Sequence, residues 1–331
     1  MKAIIPVSGV GTRLRPHTYT APKVLLQVAG KPIIAHILDE LVTIGIEEVT
    51  FVVGYLGDLI KEYINENYAF QSNYVHQEKL LGLGHAIWLA RGYHENDDEV
   101  LIILGDTIFH ADLSSVMNAR ATQIGVKEVD DPRRFGIAEI EGEYISRVVE
   151  KPAEPKTNLA IVGIYKICNP RVLFGCLDEN IKADKKTKGE FQLTDALQKM
   201  IARGEKMQPF RVEGWYDCGK PETLLLTNRD LLQRNNATST PGKEDWGENS
   251  IINHPVFIHP SAHVENAIVG PFVTVAADAH IENAIITNSI IGKKAMVQNI
   301  ILTDSLISDN AKAEGRFNIL NVGDTSEVNF T

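Results

Sequence analysis

The chain has 331 residues, 44% hydrophobic and 23% charged, which is enough apolar material for at least one large core and is not the composition of a disordered or fibrous chain. Its 33 Lys and Arg stand against 43 Asp and Glu, a net charge of −10, so no global field would hold it on a nucleic-acid backbone or an anionic membrane. A phosphate ligand therefore has to be met by a local cluster of cations. Three cysteines, Cys168, Cys176 and Cys218, are odd in number and lack C-x-x-C spacing, which points away from a disulfide framework or a thiolate zinc site. The opening M-K-A-I-I-P-V-S-G reaches glycine before a signal-peptide core could form, and no run of about 18 apolar residues follows; a reduced, cytoplasmic, unexported protein is expected.

From Lys2 to Val7 a short apolar run predicts a strand. It leads through a glycine-rich turn into a helix-period stretch, Ile34, Ile37, Leu38, Leu41 and Val42, that ends at Gly45. Val49 to Val53 and Val100 to Leu104 are too short for buried helices and rich in β-branched residues, and so read as strands closing on Gly54 and on Gly105-Asp106. Gly84 to Gly92 reads as a helix between them. Strands alternating with helices predict an α/β domain with a mostly parallel sheet, whose ligands would sit beyond the carboxyl ends of the strands. The loops after Val7 and Leu104 are therefore the places to look for chemistry.

The pattern changes near residue 236, where a polar, turn-rich stretch reads as a linker. We place the domains at 1–236, 237–250 for the linker, and 251–331. Beyond the linker, Ile258, Val264, Val269, Val275, Ile281, Ile286, Ile291, Val297, Leu302 and Ile307 recur every five or six residues, a period no helix keeps. Ala262, Ala279 and Ala295 stand two places before three of them. This is an imperfect hexapeptide repeat, predicting a β-helix of three or four coils with an exposed end that invites association, and hence a homo-oligomer.

Gly9-Val10-Gly11-Thr12-Arg13-Leu14 follows the first strand, where glycines let backbone N–H groups approach a polyphosphate and Arg13 adds a fork of donors. Two glycine motifs are excluded. Leu14 stands where the dinucleotide fingerprint needs its third glycine, and the Gly-Lys-Ser/Thr of the phosphate loop is missing. Four cations, Arg13, Arg15, Lys23 and Lys31, surround the loop instead. Apart from their context, Gln77 and the Glu150-Lys151 pair read as ordinary surface residues, and Asp106 and Asp217 as turn or capping aspartates.

The full string from Gly9 to Lys23, G-x-G-T-R-L-x-P-x-T-x-x-x-P-K, resembles the signature of the sugar-1-phosphate nucleotidylyltransferases, and the likeness continues downstream in order. The resemblance implies a Rossmann-like catalytic domain with a C-terminal left-handed β-helix. It implies that Arg13 and Lys23 bind and stabilise a nucleoside triphosphate, with Gly9, Gly11 and Thr12 holding its phosphates. Gln77 and Gly82 would read the base. Asp106, in L-G-D, and Asp217, in W-Y-D-C-G, would hold Mg²⁺, while Gly136, Glu150, Lys151 and Asn158 would bind the sugar phosphate. Ser8 stands where the family usually has alanine, and Thr107 where thymidylyltransferases often have asparagine. Gly189 to Asp195 resembles a stretch given only supporting roles. UTP or dTTP with glucose 1-phosphate is the expected substrate pair, ahead of N-acetylglucosamine 1-phosphate and of GTP with mannose 1-phosphate. Two rivals are an acyltransferase using His259, His263 or His280 of the coils, which would need an inserted loop, and a regulatory subunit that kept the fold without the chemistry.

Overall fold

The structure is a computed structural model, and it describes residues 1–234 and 249–315. Most of the expected linker, 237–248, and residues 316–331 of the expected C-terminal domain lie outside the described residues. The chain divides into two compact units, Met1–Leu26 with Lys31–Leu224, and Gln27–Gly30 with Leu225–Thr331.

The first unit is built on a nine-stranded mixed sheet. Its strands are β1 (Lys2–Pro6), β2 (Glu48–Val53), β3 (Gln71–His76), β4 (Val100–Ile103), β6 (Thr122–Glu128), β7 (Gly136–Glu141), β8 (Tyr144–Glu150), β9 (Leu159–Ile167) and β10 (Met207–Arg211); β5 (Thr107–His110) and β11 (Gly214–Asp217) pair separately. The order is β8-β7-β9-β4-β1-β2-β3, with β6 on β9 and β10 beyond β6. β4, β1, β2 and β3 run parallel, and β9 is antiparallel to β4. Residues alternate between two faces, as strand geometry requires. Ile4, Val52 and Ile102 pack on one side of the sheet with the helices Leu83–Leu89, Pro170–Lys182 and Leu193–Ala202, whereas Ala3, Ile5, Val53 and Ile103 pack on the other with Ile33–Thr43 and Gly57–Asn67. Both faces are covered, which is why these strands read as continuous apolar runs.

Two local expectations differ from the structure. Val42, counted in the apolar stripe, is 57% exposed at the end of its helix. The predicted helix from Gly84 to Gly92 breaks at Ala90 into Leu83–Leu89 and a short turn, Arg91–His94. Strand order reverses between β1 and β4, both parallel, so the crevice of an open α/β sheet falls at their carboxyl ends.

The second unit is a left-handed β-helix of three four-stranded parallel sheets between Ile251 and Glu314. Ladders such as Val264↔Ile281↔Val297 point inward, and the ten residues of the periodic set are all buried in its core or packed against it. The signal the apolar count missed is at the corners. Asn249, Asn266, Asn283 and Asn299 all hold positive φ, a conformation that asparagine tolerates better than most residues. Their amides bond between coils, Asn249 to Asn266 at 3.3 Å and Asn283 to Asn299 at 3.2 Å. In the same unit, the buried Asn228 carboxamide accepts from the Ala29 amide and from Thr274 Oγ1 and donates to the Phe272 carbonyl.

Candidate active site

The glycine loop turns because of what surrounds it. Gly11 sits at φ 67°, where a Cβ would come within 3.0 Å of Lys23 Cβ, and its carbonyl accepts from Thr18 Oγ1 at 2.8 Å. The chain then makes a 3₁₀ turn, Thr12–Leu14, with Leu14 completely buried, and returns through two more, His17–Tyr19 and Lys23–Leu25. Lys23 is thereby buried, and its Nζ donates to Asp106 Oδ2 at 2.7 Å. Asp106 follows Gly105, which packs so tightly on β1 that a Cβ there would lie 2.3 Å from Val7 Cγ1. Burial alone would push the Asp106 carboxyl up, but the Lys23 ammonium, seconded by Arg13, holds it below the ordinary carboxylate range.

Two cavities open at this point, of about 780 and 400 Å³. They share Leu83, Leu104, Asp106 and Glu190 in their walls, so Asp106 stands where they adjoin. The larger is walled by Arg13, Gly136, Glu150, Lys151, Thr194, Trp215 and Asp217, among others. Gly136 pairs with Glu150 across β7 and β8, and a Cβ on it would meet Glu150 Oε2 at 3.1 Å. The Glu150 carboxylate accepts from Thr194 Oγ1 at 2.7 Å and pairs with Lys151 Nζ at 3.3 Å. Burial, and then the Glu150 charge, push the Tyr165 phenol pKa up, so it stays protonated. Lys151 itself holds φ 42°, a strained conformation for a residue with a side chain, at a site where strain is informative.

Asp217 ends β11 opposite Thr107, the first residue of β5, which places it beside Asp106 in sequence register. Its carboxylate and Arg13 Nη2 both crowd Gly219, whose absent Cβ would lie 2.7 Å from Asp217 Oδ1 and 3.0 Å from Arg13 Nη2. The glycine of W-Y-D-C-G thus leaves room for the pair.

The smaller cavity is walled by Ser8, Gly9, Lys23, Gln77 and Gly82, among others. Gln77 is buried, and its Oε1 accepts from Ser8 Oγ. Its Nε2 donates to the Gly82 carbonyl at 3.3 Å and faces His85 Nδ1 at 3.1 Å. Gly82 holds φ 107° and packs against Glu190 and Phe191, where a Cβ would come within 2.7 Å of both.

Of the residues singled out in the sequence, Gly9, Arg13, Lys23, Gln77, Gly82, Asp106, Gly136, Glu150, Lys151 and Asp217 line one or other cavity. Gly11 and Thr12 shape the loop without lining either. Asn158 is exposed and outside both walls, and its carbonyl accepts from the Val129 amide. Two of the four cations do other work, Arg15 stacking over Tyr19 and Lys31 pairing with Asp39. Lys188 and Arg133 join the larger cavity from outside every motif, because a turn-forming Lys-Gly and a surface arginine carry no distinguishing pattern.

Among the described residues no group of three or more His, Cys, Asp or Glu gathers into a metal cage. Asp106 and Asp217 offer two carboxylates in one wall, a partial oxygen set that fits Mg²⁺, which keeps waters and takes substrate phosphates as further ligands. No helix among the described residues is long and apolar enough to cross a membrane.

Residues 2–234 match the family described as nucleotidyl transferase. A UTP–glucose-1-phosphate uridylyltransferase, AglF of Haloferax volcanii, is 33% identical over 233 residues, covering 67% of this chain and 93% of that protein. A glucose-1-phosphate thymidylyltransferase of Streptomyces antibioticus is 32% identical over 246 residues, 70% of this chain and 66% of that one. Against other curated relatives the match spans 55% to 66% of their length. The fold is similar to that of a UDP-glucose pyrophosphorylase from Acinetobacter baumanii, with a TM-score of 0.60 at 24% identity over 70% of this chain and 93% of that one.

Proposed function

The chain belongs to the nucleotidyl transferase family, and from that premise we propose that it joins UTP or dTTP to a sugar 1-phosphate, glucose 1-phosphate first, releasing pyrophosphate. One observation carries the reading: two cavities adjoin at Asp106, with Lys23 in one wall, Arg13 in the other, and apolar or hydrogen-bonding groups beyond them. A nucleotide fits the arm that holds Gln77 and Gly82, and a sugar the arm that holds Gly136, Glu150 and Lys151.

The reaction needs no protein nucleophile. A phosphate oxygen of the sugar 1-phosphate attacks the α-phosphorus in line; the new P–O bond forms as the bond to the β-phosphate oxygen breaks, and the electron pair leaves on pyrophosphate. The attacking oxygen is already anionic, so positioning and charge neutralisation lower the barrier more than proton transfer does. Lys151 holds the incoming phosphate while Glu150, fixed by Thr194, accepts from sugar hydroxyls. Lys23 and Arg13 meet the charge that grows on the leaving group. Mg²⁺ on Asp106 and Asp217 would add neutralisation of the triphosphate oxygens. Asn158, exposed outside both walls, is assigned a secondary contact to the sugar. The domain limits 1–236 and 251–331 remain our division of labour, with the chemistry in the first. A homo-oligomer belongs to the same reading, supported by the exposed row Ile251, Ile285 and Ile301 on one β-helix face; a monomer by sedimentation at micromolar concentration contradicts it.

Purified protein incubated with UTP or dTTP, glucose 1-phosphate and Mg²⁺ releases pyrophosphate only when both substrates are present. Release from the triphosphate alone, or none with any pyrimidine triphosphate, contradicts the proposal.

A further inference from the structure

We propose that Ser8 and His85 are positioning residues that lock the Gln77 carboxamide in one orientation, so that Gln77 meets the base as a hydrogen-bond acceptor only and thereby selects a pyrimidine bearing an N3–H. The inference rests on the proposed function, because it takes the smaller cavity as the base site.

A carboxamide can flip, and its two orientations offer opposite chemistry, so something has to decide between them. Ser8 and His85 hold the amide, and the end that is Nε2 is identified by the Gly82 carbonyl, which can only accept. It faces the Gln77 side chain at 3.3 Å, which assigns that end to Nε2. The second Nε2 hydrogen then points at His85 Nδ1, 3.1 Å away, and that nitrogen must carry a lone pair. Burial lowers the His85 pKa, which favours the neutral ring this contact needs. At the other end Oε1 accepts from Ser8 Oγ. The His85 ring is itself held, stacked on Trp88 at 5.9 Å and set against Phe191 at 6.5 Å.

The count of hydrogen-bonding capacity gives the specificity. Both Nε2 hydrogens are used within the protein, whereas Oε1 has accepted one bond and has a second lone pair. Uracil and thymine present N3–H to that lone pair. Cytosine presents a bare N3, which would set acceptor against acceptor, and the locked amide has no way to turn. Ser8, the residue that departs from the usual alanine of the loop, thus has a physical use.

The test is calorimetric binding of UTP and CTP to the wild type, to the double variant Ser8→Ala/His85→Phe, and to His85→Asn. Phenylalanine keeps the stacking and removes the Nδ1 acceptor, while asparagine restores an acceptor near the Nδ1 position. The wild type is expected to bind UTP about tenfold or more tightly than CTP, the scale of one mismatched hydrogen bond. In the double variant, with thermal melting unchanged, the ratio falls to within about threefold, and His85→Asn keeps most of the discrimination. A folded double variant with the wild-type ratio, a wild type indifferent to UTP and CTP, or a His85→Asn protein as indifferent as the double variant overturns the assignment. Loss of pyrophosphate release with the binding ratio intact contradicts the proposed function instead.

Discussion

In the sheet unit, Lys23, Gln77, Gln192 and Thr194 are buried around two cavities, each with a polar atom facing the space or bonded to a residue that does. In the β-helix the buried polar groups are few, and Thr274 and Ser289 are used on the coil's own backbone and on Asn228. The difference follows from how each is built. A stacked coil repeats one short unit, so its interior is a ladder of like residues and any unpaired polar group would recur or go unsatisfied. An open sheet with a reversal in strand order has one place where neighbouring strand ends part, and that singularity is where unlike residues converge. Chemistry collects where repetition fails.

The sharpest way to break this contrast is at Arg13. Arg13→Ala is expected to lower turnover by about 10²-fold or more with the melting temperature unchanged, the scale of removing one preorganised donor; a near-normal rate in a folded protein would show that the crevice does not act through this side chain. Asp217→Asn is expected to remove most Mg²⁺-dependent turnover, again without unfolding, and unchanged metal titration curves would take Asp217 out of the ligand set. Gly219→Ala should produce a smaller loss in the same assays, since its methyl displaces the Asp217 carboxylate that lies 2.7 Å from the ideal Cβ position. An unaltered metal requirement would mean the carboxylate yields freely.

The Lys23–Asp106 pair gives a pH signature. Asp106 has a depressed pKa in the folded state, so its contribution is fully present above the unfolded value of about 3.9 and is lost as pH falls through the lower folded value. With Lys23→Met the main charge that lowers the Asp106 pKa is removed, and loss of stability on acidification should begin at a higher pH than in the wild type. Denaturant titrations of both proteins across the acid range measure this; superimposable profiles would remove the coupling. The smallest effect belongs to the coil. Asn283→Ala puts a side chain that dislikes positive φ at φ 51° and removes the bond to Asn299, costing about 1 kcal/mol, whereas Asn283→Gly should be nearly neutral. Equal losses from both would place the cost in the amide ladder rather than the backbone.

Much of the first unit was legible because backbone constraints write themselves into sequence. Gly11 and Gly82 both hold positive φ against close neighbours, and β1, β2 and β4 are largely apolar because both their faces are covered. The coil was legible from its apolar period, yet the asparagine corners, spaced 16 or 17 residues apart, were an equally physical signal that the apolar count ignored. Less could be read where position depends on remote packing. Nothing local distinguishes Arg15 and Lys31, which serve Tyr19 and Asp39, from Arg13 and Lys23, which line the crevice. The orientation of Gln77 depends on Ser8, 69 residues earlier, and that contact is made only when the carboxyl ends of β1 and β3 come together.

The most direct test of the account is a crystal structure with UDP-glucose bound. The account predicts the uracil against Gln77 and Gly82, the glucosyl group against Glu150 and Gly136, and the diphosphate crossing at Asp106. Uracil seated among Glu150, Lys151 and Trp215, or both ends of the ligand in one cavity, would contradict it.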